Sequence, residues 1–589
     1  MISIPTYLGK ITSVSGASIY VELTPQVMSG LLVIEGKTHR IGQVGSFVRV
    51  PQGYNNLYGI ISETSENVEN NSSSNKNSNR QIKVELVGEA IGCDFERGIS
   101  QFPSIAEEVH LVTEDDLKKI YGNNQYGQVI IGKLSSSDSI NVSIDLDNLV
   151  NRHSAILGST GSGKSTSISS LLRSIVTRHS DEILMPSARI VLFDLHGEYS
   201  SALNDISEVH SIDGSDDDEK LLIPYWCVSP ESLIDFLCGQ TSDLKNRFME
   251  LIVEDKIEFA KKNKNLEIDI DKITPYSPLP FRLRKIWYDL YHMDSVNWRE
   301  KEMLNPAYAE NGVGDPEKLI APRFLPPDTR NESLVKKGGD NRWKKSLDLM
   351  RSRLLDNQYS FLLSPDEWNP DNELNLKKDL SDLINKWVGG SKPITILDLS
   401  GMPSDKLDLL LGSMLHILFE TAIWGRKLES GMKKNPLLLV MEEAHRYLSS
   451  DNNGLSKSMV RRIAKEGRKF GIGSMLVSQR PSEIDETILS QCGTIFSLRI
   501  SNSTDRNRVK SAMSDSLSGI IDSLPILRTG EAIVTGEAAK LPMRFKFRIP
   551  KEGQFPNSHD PKVSESWSKA KNKHDFDILV KSWRNQKLK

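Results

Sequence analysis

Gly158-Ser159-Thr160-Gly161-Ser162-Gly163-Lys164-Ser165 is the stretch that decides how this chain is read. It satisfies G-x-x-x-x-G-K-[ST] at every fixed position. The apolar run Ser154-Ala155-Ile156-Leu157 before it reads as a short buried strand, and Thr166–Thr177 after it has helical spacing. A strand, a glycine-rich turn and a helix N-terminus let backbone N–H groups curl around phosphates, with the helix dipole adding to the attraction. Gly158 to Thr166 is therefore the expected phosphate cradle. Lys164 would reach the β- and γ-phosphates and the Ser165 hydroxyl would ligate Mg²⁺, which makes ATP and Mg²⁺ the expected cofactors.

Outward from this loop the sequence alternates strands and helices. Arg189–Asp194, Ile394–Asp398, Leu437–Met441 and Ser474–Ser478 read as further buried strands. Continuous apolar strands alternating with helices imply a mainly parallel sheet covered on both faces. Leu437–Met441 ends in Glu442-Glu443, and a buried strand that delivers two acids fits a metal-side carboxylate (Glu442) and a water-activating one (Glu443). Asp194 closes another strand at the same edge, where it could support Mg²⁺ or a neighbouring subunit or simply cap a glycine turn. Gln479 follows Ser478 and could orient water or sense the γ-phosphate; a strand end before a Pro-directed turn is the plainer alternative. Arg461, Arg462, Lys465, Arg468 and Lys469 fall on one helix and the turn after it. They read either as a solvated basic face or as the source of an arginine finger.

Residues 1–127 read as short strands punctuated by Gly and Ser, the pattern of a small β-barrel. The Asn- and Ser-rich stretch Ser65–Arg80 reads as a disordered loop within it. Residues 128–228 and 391–550 form the two parts of the α/β core, with a helical insertion at 229–390 between them. A lysine-rich, extended arm is expected at 551–589. The chain's 589 residues suffice for two to four domains, and 38% hydrophobic with 26% charged residues is a soluble globular profile. The net charge of −4 neither favours nor excludes nucleic acid. Cys93, Cys227, Cys238 and Cys492 lack both disulfide-framework and metal-ligand spacing. With no signal-peptide pattern and no stretch of about 18 apolar residues, the reading expects no membrane span and a cytoplasmic protein.

Taken together, Asn151-Arg152-His153 leading into the phosphate loop, Asp194-Leu-His-Gly-Glu-Tyr199, Glu442-Glu-Ala-His445, Glu466-Gly-Arg468-Lys and Ser478-Gln-Arg-Pro481 resemble the HerA branch of the HerA/FtsK ATPases. The resemblance covers nearly the whole chain, including an N-terminal barrel similar to the family's HAS-barrel and the Gly530–Glu537 segment. It implies a RecA-like core in a homohexameric ring, with ATP between subunits and double-stranded DNA in the central channel. It also implies that Glu443 is the catalytic base, that Arg468 reaches the neighbour's ATP in trans, and that Arg152 contacts phosphate or the interface. Glu442 stands where many relatives have Asp, and either carboxylate can hold Mg²⁺ through water. The implied function is an ATP-driven DNA translocase or helicase working with a partner nuclease or NAD-hydrolysing effector encoded nearby, in anti-phage defence or end processing. The alternative is an ATP-switched scaffold that holds an effector with little translocation.

Overall fold

In the computed structural model, described residues are those outside 1–5, 26–30, 35–36, 41, 69–77, 93, 122–126, 179–181, 213–218, 300–303, 328–334, 403, 451–453, 514–517, 558–562, 569–575 and 586–589. Six strands near the N-terminus close on themselves in the order Ser18–Leu23, Tyr7–Ser15, Glu108–Leu111, Phe47–Gln52, Asn55–Val68 and Ser78–Ile91, the last pairing back to the first. Asp94–Arg97 extends the last strand outside the ring. Every other side chain points inward, so Ile11, Ile19, Val21, Val48, Val50 and Val84 fill the interior. Part of the expected loop at Ser65–Arg80 is in fact strand: Ser65 pairs with Gln81 and Val68 with Ser78. Backbone pairing in a long hairpin does not require a core beneath it, which is why polar composition misled the reading. The rest of that stretch, and the acidic run 213–218, lie outside the described residues, as does Cys93. The other three cysteines are free and buried.

The second body is a twelve-stranded sheet. Its parallel part runs Thr494–Ser497, Ser154–Leu157, Ile472–Ser478, Leu437–Met441, Arg189–Asp194, Ile394–Asp398, Ser207–Ser211 and Glu219–Lys220. Glu531–Gly536, Met543–Phe547, Gln128–Leu134 and Ser137–Asp145 continue it antiparallel on one side. The Ile472–Ser478 strand thus separates the phosphate-loop strand from the one that ends in Glu442-Glu443. All the parallel strands deliver their C-terminal ends to one edge, the usual ligand edge of such a sheet.

The insertion contributes helices Pro230–Cys238, Ser242–Lys262, Leu283–Ser295, Lys344–Leu355 and Leu380–Val388. Among the described residues between 296 and 343 it is mostly irregular, with a two-residue ladder of Asn297–Trp298 on Lys336–Lys337. Beyond 550 the described chain holds two short helices, Val563–Ser568 and Phe576–Asn585, rather than a wholly extended arm. One expectation about apolar runs is corrected: Lys406–Gly425 is a 20-residue helix long and apolar enough to cross a membrane. Its buried residues, among them Leu411, Met414, Leu415, Leu418 and Phe419, belong to the main core, and core burial on several sides produces the same composition.

Lys256 is buried in the insertion, where its ammonium donates to Pro275 O at 2.6 Å and Ser277 O at 2.5 Å. Burial pulls its pKa down to about 7. Between that value and about 10.4, the pKa of an unfolded lysine, the unfolded chain holds the extra proton, so stability rises with pH in this window. The melting temperature of the wild type relative to Lys256→Met is expected to rise from about pH 7 to about pH 9 by calorimetry.

Candidate nucleotide site

The phosphate loop owes its shape to residues far away in sequence. Gly161 and Gly163 have φ of +72° and +85°, which side-chain-bearing residues rarely adopt. A Cβ on Gly163 would also stand 2.9 Å from Gly530 N. Gly530 N donates to Ser162 O at 2.9 Å, Arg499 Nη2 to Gly161 O at 2.8 Å, and Gly158 N to Ser478 O at 3.1 Å. Thr160 Oγ1 donates to Gln479 Oε1 at 2.7 Å, so Gln479 does sit on the loop. Ser159 N is held by Arg499 O at 2.9 Å. Lys164 opens the helix Lys164–Thr177, with Ser165 and Thr166 in its first turn. The N–H groups of such a turn lack partners within the helix and are free for an anion.

Lys164 Nζ donates to Glu443 Oε1 at 2.9 Å, the two side chains being 10% and 5% exposed. Lys164 is thus a buried ion-pair member, not the solvent-facing charge its place in a surface loop suggests. Glu443 has φ +46°, ψ +44°, a left-handed conformation that is costly for a non-glycine residue and marks functional turns. The strain comes from a chain that must leave the Leu437–Met441 strand and turn at once into the short helix Ala444–Arg446.

Glu442 and Asp194 point elsewhere. Glu442 Oε2 accepts from Leu195 N at 3.1 Å and its Oε1 from the Tyr199 hydroxyl at 3.2 Å. Asp194 accepts from the backbone N–H groups of His196, Gly197 and Tyr199 at 3.1, 2.8 and 3.0 Å. Burial pushes the Glu442 carboxyl well above the usual carboxylate range, and the charges of Asp194 and Glu443 push it further. Burial also raises Asp194. The two carboxyls thus raise each other in a site that disfavours a second negative charge. Tyr199, fully buried, also faces the Ser165 hydroxyl, so it ties the loop to this acid pair. Among the described residues no three His, Cys, Asp or Glu side chains are grouped as a ready-made metal cage. The donor set nevertheless suits Mg²⁺, which keeps most of its waters and takes only one or two direct protein ligands. Ser165 would be one, with Glu442 and Asp194 behind it as acids that lack a cation of their own.

Arg468 and Arg152 are not at this edge. Arg468 is exposed in the last turn of the Leu455–Phe470 helix. That helix leads back to the start of the Ile472–Ser478 strand, seven residues or about 20 Å from its C-terminal end. Gly467 beside it lies against His153, 3.5 Å from where its Cβ would be. Arg152, expected to contact phosphate or the interface, pairs with Glu537 at 3.3 Å on the same far edge. Neither arginine can touch its own subunit's phosphate loop. Arg499, Thr529 and Gly530 were missed in the sequence, because nothing local links them to a loop more than 330 residues away.

Residues 129–418 match the family model described as the central domain of helicase HerA. The middle of the chain is thus similar to the HerA central domain. The chain is 39% identical over 204 residues to the DNA double-strand break repair helicase HerA of Sulfolobus acidocaldarius, covering 34% of this chain and 40% of that one. The Pyrococcus furiosus protein of the same name is 26% identical over 514 residues, 80% of each chain. The chain thus spans about 40% of the length of the Sulfolobus relative it matches. Among solved structures, the plasmid coupling protein TrwB in complex with ADP and Mg²⁺ is 16% identical, covering 76% of this chain and 95% of that one, with a TM-score of 0.42. The HerA-type loop, the Glu443 turn and Gln479 therefore meet at one sheet edge, and the two arginines stand at the other.

Proposed function

We propose that this HerA-type chain is an ATP hydrolase that drives double-stranded DNA through the channel of a homohexameric ring. One observation carries the reading: each subunit holds a phosphate loop with Glu443 and Gln479 at one sheet edge and the exposed Arg468 at the opposite edge. A head-to-tail ring brings those edges together, placing Arg468 and Arg152 of one subunit against the ATP of the next. ATP phosphates then lie on Gly158–Thr166, Mg²⁺ on Ser165 with Glu442 and Asp194 behind it, and Glu443 takes the proton of the attacking water. The names of the HerA relatives, double-strand break repair helicases, support DNA as the substrate. We further propose that the ring works in the cytoplasm with a partner nuclease or NAD-hydrolysing effector, in end processing or anti-phage defence.

The test is ATP turnover with and without linear duplex DNA, together with displacement of a third strand from a triplex. Stimulation and displacement are expected. ATP-dependent effector binding without either would favour the switched scaffold. Glu443→Gln is expected to bind ATP as the wild type does and to hydrolyse it about 10²–10⁴-fold more slowly, because an amide cannot accept the water's proton. Rapid-quench measurement of a single turnover checks this.

A further inference from the structure

The two oxygens of Glu443 differ in their surroundings. Oε1 takes the Lys164 ammonium. Oε2 is buried and makes no hydrogen bond, although His445 Nδ1 lies only 3.1 Å from it. An unpartnered buried carboxylate oxygen is costly, so its neighbour matters. The same Nδ1 stands 3.3 Å from the Ser478 hydroxyl, which also accepts from Arg480 N at 3.0 Å. His445 is thus wedged between the water-activating acid and the end of the Ile472–Ser478 strand. That strand end carries Gln479, already bonded to Thr160 of the phosphate loop. Burial lowers the imidazole's pKa, so the ring is neutral near pH 7 and has a single N–H to give.

When ATP arrives, Lys164 is drawn to its phosphates and Glu443 loses its Oε1 partner. We propose that His445 then becomes the residue that positions Glu443, turning a ring N–H from Ser478 to Glu443 Oε2 and so aiming the carboxylate at the attacking water. The imidazole moves by a small rotation, because the two acceptors lie 3.1 and 3.3 Å from the same nitrogen. His445 lies against Glu443 and Ser478, so its role is one of positioning. Its effect passes through Glu443, and through Ser478 it senses the strand that carries Gln479.

The inference rests on Glu443 as the water-activating acid, and the experiment separates the two. ATP turnover is measured in the full-length protein for His445→Ala, His445→Asn, His445→Gln, Glu443→Gln and the double variant His445→Ala/Glu443→Gln. His445→Ala is expected to lower kcat about 10–10²-fold, the cost of a misplaced catalytic group, with KM for ATP changed less than about twofold. Asn places an N–H near the Nδ1 position and should restore most of kcat; Gln places it near Nε2 and should not. The double variant should be no slower than Glu443→Gln alone, since a positioning residue has nothing left to position. Wild-type kcat in His445→Ala beside a slow Glu443→Gln would overturn the proposal, as would losses that multiply in the double variant. Normal turnover in Glu443→Gln would instead remove the assignment of Glu443 beneath it. Should His445→Ala fail to fold, the Asn and Gln pair decides alone: equal rates in the two overturn the proposal.

Discussion

Lys164→Ala will hydrolyse no measurable ATP, and it will also be less stable than the wild type. The first effect follows from removing the charge that meets the β- and γ-phosphates. The second follows from the structure. Lys164 and Glu443 form an ion pair with 10% and 5% exposure, so deleting the ammonium leaves a buried carboxylate without a counter-charge. Breaking such a pair from one side costs roughly 3–5 kcal/mol. Adding Glu443→Gln removes the orphaned charge, so the double variant should melt closer to the wild type than Lys164→Ala does, although it too is inactive. Calorimetry of the three variants without nucleotide reads this directly. A Lys164→Ala protein that melts with the wild type would mean that the ion pair is not formed in the resting subunit. Retained turnover would remove the phosphate site itself.

Rings that mix Arg468→Ala with Lys164→Ala subunits will recover ATPase activity that neither variant has alone. Each pure variant should be close to inactive, because an arginine finger contributes roughly 10³–10⁵ in rate. The fold makes the trans arrangement the only one open to Arg468. The Leu455–Phe470 helix returns to the far edge of the sheet, so Arg468 sits at the start of a strand about 20 Å long whose other end carries the loop edge. In a head-to-tail ring, an Arg468→Ala subunit that supplies an intact loop beside a Lys164→Ala neighbour that supplies an intact Arg468 makes one complete site. Activity on mixing should therefore rise and fall with the fraction of such junctions as the ratio is varied. Full activity in pure Arg468→Ala rings would return Arg468 to a solvated basic face or a contact with DNA phosphate. Mixed rings that form but stay silent would mean that hydrolysis needs every site in the ring.

Much of the architecture was legible because its signals are local. Gly158–Ser165 carries its own conformational demands, since Gly161 and Gly163 sit where φ is positive and a side chain is disfavoured. The buried strands are continuous apolar runs, and a parallel sheet sends their C-terminal ends to one edge, so the loop, Glu443 and Gln479 could be placed together from sequence alone. The barrel was legible from short alternating strands, but the paired ends of the Ser65–Arg80 stretch were not, because a backbone ladder is not reported by side-chain composition.

What only the tertiary structure decided is how charges are spent. Strand order is a long-range property: inserting Ile472–Ser478 between the loop strand and the Leu437–Met441 strand sets Gln479 on Thr160 and His445 against Ser478. The sequence offered Glu442 as a metal-side acid, and Asp194 either as support for Mg²⁺ or a neighbour or as the cap of a glycine turn. Packing turns them toward Leu195, Tyr199 and the following turn, where burial raises both carboxyls. It offered Arg152 as a contact to phosphate or to the interface, and chain direction sets it with Arg468 at the far edge, paired with Glu537. Local chemistry states which groups a residue can serve; burial and strand order, which depend on residues hundreds of positions apart, decide which of them it meets.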